Sequence, residues 1–142
     1  MMKPTSANST RKRVLFLCSG NSCRSQMAEA IVNNRLNPRW EAFSAGTRPS
    51  GIVHPKAIQV LAEIGIAHRG ESKSVQVFQG QDFDLVVTVC DAAAEECPLW
   101  LGPGKRVHRG FVDPAKAEGS EVEVLEVFRR VRDEILEQIP AL

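Results

Sequence analysis

No apolar run in the 142 residues approaches the ~18–20 needed to span a membrane. Excess charge of either sign is also missing. The formal net charge is +1 at pH 7, so neither a nucleic-acid backbone nor an anionic membrane surface is favoured as a partner. Internal repeats and low-complexity linkers are absent, and the length suits one domain with its own core. The start, Met1 to Arg13, is polar and basic without an apolar h-region, so residues 1–12 are expected to be a flexible tail rather than a secretory signal. A cytoplasmic address is the expectation. Cysteine is scarce, four in all, which in such a chain points to catalytic or redox use rather than a disulfide framework. No second cysteine pair or histidine spacing suited to zinc accompanies them, so no metal site is expected. Tyrosine is absent altogether.

What is present is organised around Cys18-Ser19-Gly20-Asn21-Ser22-Cys23-Arg24-Ser25. Four apolar residues, Val14 to Leu17, precede this stretch, and Met27, Ala28, Ile31 and Val32 come after it at helical spacing. The pattern reads as buried strand, tight loop, helix. It gathers a thiol, successive backbone N–H groups, a helix N-terminus and a guanidinium around one point. Such a site attracts an oxyanion. The same groups favour a thiolate at Cys18, and the Ser25 hydroxyl can donate to that sulfur.

Strands and helices alternate along the rest. Strands are expected at 13–17, 40–45, 85–89 and 106–108, and helices at 25–36 and from Pro55 to about Ile64. A short helix is expected near Val75 to Phe78, and an Ala-rich one from Asp91 to about Cys97. A long C-terminal helix opens on the capping box Ser120-x-x-Glu123. This order predicts an α/β fold of three layers, a four-stranded parallel sheet flanked by helices on both faces, with the anion loop after strand 1. Arg129, Arg130 and Arg132 read as a solvated face of the last helix, and His54 and His108 as structural.

In an open parallel sheet, ligands bind at the carboxyl ends of the strands. Cys18, Cys90 and Asp113 come directly after strands 1, 3 and 4, which puts all three on one sheet edge. Asp113 before Pro114 suits either a general acid or an ordinary turn. With the anion loop beside it, the acid is favoured. Cys90 and Cys97 are seven residues apart, a rise of about 10.5 Å in a continuous helix. A disulfide needs Cα atoms roughly 4.4–6.8 Å apart. Pairing these two therefore requires unwinding. The segment reads either as a redox switch or as two cysteines packed in a helix. Cys23, inside the loop, is expected to be structural.

These residues resemble a known family. Cys18 to Ser25 resembles the phosphate loop of the low-molecular-weight protein tyrosine phosphatase fold, and the whole is similar to the thioredoxin-coupled arsenate reductases. The resemblance rests on Cys18 to Glu29, Ser44-Ala45-Gly46-Thr47, Leu85 to Cys90, Cys97-Pro98 and Gly110 to Ala115. It covers everything from about Arg13 onward and implies a single catalytic domain over residues 13–142. The loop alone is shared with phosphatases, whereas Cys90 and Cys97 in their places are more specific. Those phosphatases usually carry aromatic residues after the acidic Asp-Pro to clamp an aryl substrate. Here Ala115-Lys116 comes after Asp113-Pro114, and with no tyrosine in the chain a phosphotyrosine pocket is not evident.

The resemblance implies reduction of arsenate to arsenite. Cys18 would be the nucleophile, and Ser19, Gly20, Asn21, Ser22, Cys23, Arg24 and Ser25 would hold the oxyanion. Asp113 would protonate the departing hydroxyl, and Cys90 and Cys97 would relay the disulfide outward to thioredoxin. No bound cofactor is expected, and since nothing in the sequence demands more, a monomer is expected. Some members hold a monovalent cation near the loop. Asn21, Glu29 and Ser44 match polar positions associated with it, while Ser72-Lys73-Ser74 offers no carboxylate, so no cation is assigned. Two other readings stay open: a small phosphatase acting on phosphate esters, and a non-enzymatic thiol redox sensor.

Overall fold

A computed structural model describes residues 11–90 and 104–141. Residues 1–10, 91–103 and 142 lie outside it, and with them the expected Ala-rich helix, Cys97 and all of the expected 1–12 tail but Arg11 and Lys12, the second of which belongs to the first strand rather than to a tail. Among the described residues the chain runs β1 (Lys12–Cys18), α1 (Arg24–Arg35), β2 (Trp40–Gly46), α2 (Pro55–Ala62), β3 (Leu85–Thr88), β4 (Lys105–His108) and α3 (Glu121–Gln138). One-turn 3-10 helices cover Val75–Phe78, Pro114–Lys116 and Ile139–Ala141.

All four strands are parallel, in the order β2-β1-β3-β4. The chain moves from β1 to one side for β2, then crosses to the other side for β3. The crevice at the carboxyl ends therefore opens between β1 and β3, where the strand order reverses. Val14 to Cys18 are all at most 2 % exposed, which explains why β1 reads as an unbroken apolar run rather than an alternating one.

Val14 and Phe16 face α1 and the end of α3, against Val32, Leu36 and Ile139. On the opposite face, Phe43, Phe78 and Phe83 meet edge-to-face with centroids 5.5–5.7 Å apart. The Arg13 guanidinium lies 4.7 Å from two of these rings, Phe43 and Phe83. The helix ends obey local rules. Pro55 sits in the first turn of α2, where the His54 ring accepts the Lys56 N–H. Ser120 and Glu123 form the expected capping box on α3.

The expected solvated face of the last helix needs correction. Arg132 is only 8 % exposed. Its guanidinium donates to the Val60 carbonyl and to Glu63, and Arg129 binds the same Glu63 carboxylate. These arginines tie α3 to α2. Arg132 is spaced like the apolar residues around it, so its aliphatic stem packs inward while its head finds partners.

Hydrogen bonds from Arg129 first, then from Arg132, hold the Glu63 carboxyl at about 2, below its ordinary 4.5, while partial burial opposes them. A carboxyl depressed on folding contributes stability that is present above the unfolded value and is lost as pH falls through the folded one. Glu63→Gln is therefore expected to lower the urea midpoint at pH 7, with the gap to the parent narrowing as pH drops from 4.5 toward 2. A gap that stays constant across that range would contradict the pairing.

Candidate active site

The loop between β1 and α1 closes around the Cys18 sulfur. The carbonyl of each residue from Cys18 to Cys23 accepts a hydrogen bond from a group outside the curve of the loop. Thr47, Arg48 and Ser50 N–H bind the Cys18, Ser19 and Gly20 carbonyls, and His54 N–H binds Ser22. The Ser72 hydroxyl also binds Gly20, the Gln26 side-chain amide binds Asn21, and Met27 N–H binds Cys23. In a trans peptide the N–H points opposite to the carbonyl. Holding these carbonyls outward turns the next N–H groups toward the concave side. One of them, Asn21 N–H, donates to Cys18 Sγ at 3.1 Å.

Asn21 makes the turn. Its φ of +50° lies in the left-handed region, which asparagine tolerates better than most residues. Its side chain is fully buried, with Nδ2 donating to Ser25 Oγ at 2.8 Å. Ser25 Oγ lies 2.9 Å from Cys18 Sγ. Gly46, at the end of β2, permits this closure. A Cβ there would come within 2.5 Å of the Ser19 carbonyl oxygen and 3.1 Å of the Asn21 backbone.

Among the described residues, the other sequence-predicted ones, Arg24, Asp113 and Cys90, converge on the same edge. Arg24, the first residue of α1, donates to the Phe111 carbonyl at 3.1 Å and lies 3.4 Å from Asp113 Oδ2. Asp113 faces the loop and also caps the 3-10 turn after it, with Oδ1 accepting the Ala115 N–H. The turn-forming reading of this residue is met by that contact, and the same carboxylate is the one paired with Arg24. Cys90 is 7 % exposed, and its sulfur lies 3.5 Å from Ser19 Oγ. Backbone bonds from Val89 to Leu17 and from Phe111 to Val89 hold β1, β3 and the Asp113 loop together.

Cys23 is buried beside the first turn of α1, and its side chain does not cap the helix. Burial, then the Asp113 carboxylate, push its thiol up to about 12, from 9.0. Glu29 accepts from Ser44 at 2.6 Å and lies 3.8 Å from the Lys73 ammonium. Among the described residues no cluster of His, Cys, Asp and Glu suited to a metal occurs. Nor, among them, is any helix long and apolar enough to cross a membrane.

Sequence reasoning missed two polar residues behind the loop, the buried Gln26 and the half-buried His68 that meets it. No local pattern in the sequence marked them, because the burial of the run Ser25-Gln26-Met27-Ala28 in the first turn of α1 is seen only in the fold. A fully buried glutamine there must be satisfied by something.

Residues 13–142 match the family model for low molecular weight phosphotyrosine protein phosphatases. The chain belongs to that family. Its relatives include arsenate reductases. That of Halalkalibacterium halodurans is 48% identical over 130 residues, 91% of this chain and 93% of the relative. An arsenate reductase solved in a phosphate-binding state superposes with a TM-score of 0.74 at 31% identity, covering 92% of this chain and 95% of the other. An arginine phosphatase from Geobacillus stearothermophilus also shares the fold, with a TM-score of 0.72 at 26% identity, 91% of this chain and 88% of that one.

The different surroundings of the two loop cysteines give a direct test. With its thiol raised to about 12, Cys23 is expected to stay unlabelled by iodoacetamide at pH 7 while Cys18 is alkylated, as read by peptide mapping. Labelling of Cys23 as fast as Cys18 would contradict the buried, protonated thiol.

Proposed function

We propose that this chain reduces arsenate to arsenite through Cys18, Cys90 and Cys97, with thioredoxin as the electron source. The observation that carries the reading is the second thiol at the loop. Hydrolysis of a phosphate ester would need Cys18, Arg24 and Asp113, but not a buried Cys90 sulfur 3.5 Å from Ser19 Oγ.

Loop N–H groups and the Arg24 guanidinium hold the tetrahedral oxyanion, a preorganised arrangement of the kind worth about 3–4 kcal/mol per donor in other oxyanion sites. The Cys18 thiolate attacks arsenic, and Asp113 gives its proton to the departing hydroxyl, which leaves as water. Cys90 then attacks the Cys18 sulfur. The sulfur–arsenic bond breaks with its electron pair going to arsenic, so arsenic(V) becomes arsenic(III), arsenite leaves, and a Cys18–Cys90 disulfide forms. Cys97 attacks Cys90 and frees the Cys18 thiolate. Reduction of the Cys90–Cys97 disulfide by a dithiol returns the enzyme to its starting state.

Arg24 serves two partners in this scheme. Its contacts with Phe111 and Asp113 tie the Asp113 loop to the first residue of α1. The same guanidinium favours the oxyanion, so substrate and acid are brought together by one cation.

Single-turnover chemistry separates the steps. With arsenate and no external reductant, Cys97→Ser is expected to release stoichiometric arsenite once and accumulate the Cys18–Cys90 disulfide, seen by mass spectrometry. Cys90→Ser is expected to release none. Sustained turnover of Cys97→Ser with thioredoxin would sink the relay.

A further inference from the structure

A line of side-chain hydrogen bonds runs from His68 to the nucleophile loop. His68 Nε2 lies 2.7 Å from Gln26 Oε1, and Gln26 Nε2 lies 3.0 Å from Asn21 Oδ1. Asn21 Nδ2 lies 2.8 Å from Ser25 Oγ, which lies 2.9 Å from Cys18 Sγ. Gln26, Asn21 and Ser25 are all fully buried.

Backbone groups fix the direction of this line. The carbonyls of Glu71 and Asn21 can only accept, and both face Gln26 Nε2 at 2.8 and 3.2 Å. The amide nitrogen of Gln26 must therefore point toward the loop and its oxygen toward His68. The Lys73 N–H can only donate, and it faces Asn21 Oδ1 at 2.9 Å. That sets the Asn21 amide the same way, with Nδ2 toward Ser25. Ser25 Oγ, accepting from Asn21, keeps its own proton for the Cys18 sulfur. At the far end, Gln26 Oε1 requires a donor, so the His68 ring carries its proton on Nε2.

Gly70 makes room for the contact. A Cβ there would meet Gln26 Oε1 at 2.2 Å and His68 Nε2 at 2.4 Å, which no side chain could accommodate without displacing one of them. The ring is in a mixed field. Burial lowers its proton affinity, Glu29 on α1 raises it, and Lys73 lowers it, with a net shift below 6.5. Around the sulfur stand Ser25, the Asn21 N–H, Cys23 and, across Ser19, Cys90.

We propose that His68 is a positioning residue for the nucleophile: its Nε2–H locks Gln26, and through Gln26 and Asn21 it commits the Ser25 hydroxyl to donating toward Cys18. The proposal rests on Cys18 being the reactive thiol, and it adds a residue from the segment after α2, 50 positions away in sequence. His68 touches neither sulfur nor substrate. It acts by denying Gln26 and Asn21 their flipped orientations, in which the Ser25 proton would be free to turn elsewhere.

The test reads the thiol itself and needs no arsenate, so its outcome is independent of the proposed reduction. The reduced full-length protein is alkylated with iodoacetamide across pH, and the Cys18 peptide is quantified. His68→Gln and His68→Met replace the ring by side chains of similar size, one with an N–H and one without. His68→Met is expected to slow Cys18 alkylation at pH 7 by about 3-fold and move the profile to higher pH, the scale of one net hydrogen bond. His68→Gln is expected to keep the parental profile. Gly70→Ala, which leaves the ring intact but crowds it from Gln26, is expected to behave like His68→Met. Melting curves confirm that each variant is folded. A folded His68→Met with the parental profile, or a His68→Gln as slow as His68→Met, would overturn the proposal. Should His68→Met fail to fold, a folded Gly70→Ala with the parental profile would overturn it on its own.

Discussion

A backbone loop can bind an anion only if its carbonyl groups are occupied elsewhere, because each carbonyl left facing the centre would repel the ligand. Here that constraint is met by neighbours from three separate segments. The β2–α2 connection supplies the N–H groups of Thr47, Arg48, Ser50 and His54, the 71–74 segment supplies Ser72, and α1 supplies Gln26 and Met27. The loop is thus shaped from outside. Its geometry belongs to the whole domain rather than to Cys18 through Arg24 alone. Gly46 shows how tight the fit is, since a single added carbon would press on the Ser19 carbonyl.

The sheet order supplies the rest of the site. With β3 beside β1, the chain leaving β3 must come down next to the loop, which brings Cys90 to Ser19. With β4 beyond β3, the chain returns across Phe111 to Asp113, within reach of Arg24. A family fold built to hold a tetrahedral oxyanion over one thiol thereby acquires a second thiol at its rim without altering the loop. Phosphatase chemistry and thiol exchange share the way the anion is held and the first attack by the thiolate. They diverge only afterwards, when either water or a second sulfur resolves the intermediate.

Much of this was legible in the sequence, and the reasons can be given residue by residue. Strong local signals carried through. The apolar run Val14–Leu17 became the central strand, Pro55 opened α2, and Ser120 with Glu123 capped α3. β3 stops one residue earlier than its apolar run suggests, at Thr88, and β1 begins at Lys12 rather than Arg13. The placing of Cys18, Arg24, Ser25 and Asp113 at one sheet edge was legible because loop, strand end and helix start coincide around them. Arg132 was misread because charge outweighs position in a sequence pattern. Only the fold shows that Val60 and Glu63 wait for it across α2. His68 and Gln26 were hidden for a different reason. Their meaning lies in a contact between segments 42 residues apart, and neither segment carries a local pattern that requires the other. The aromatic cluster of Phe43, Phe78 and Phe83 likewise joins three separate stretches.

Everything turns on whether electrons delivered to the proposed cysteine relay reach arsenate. Arsenate-dependent NADPH oxidation with purified thioredoxin and thioredoxin reductase measures this, with the parent chain beside Cys90→Ser. Sustained oxidation by the parent and none by the variant is the predicted result. No arsenate-dependent oxidation by the parent, together with brisk hydrolysis of an aryl phosphate, would contradict it and make the chain a phosphatase.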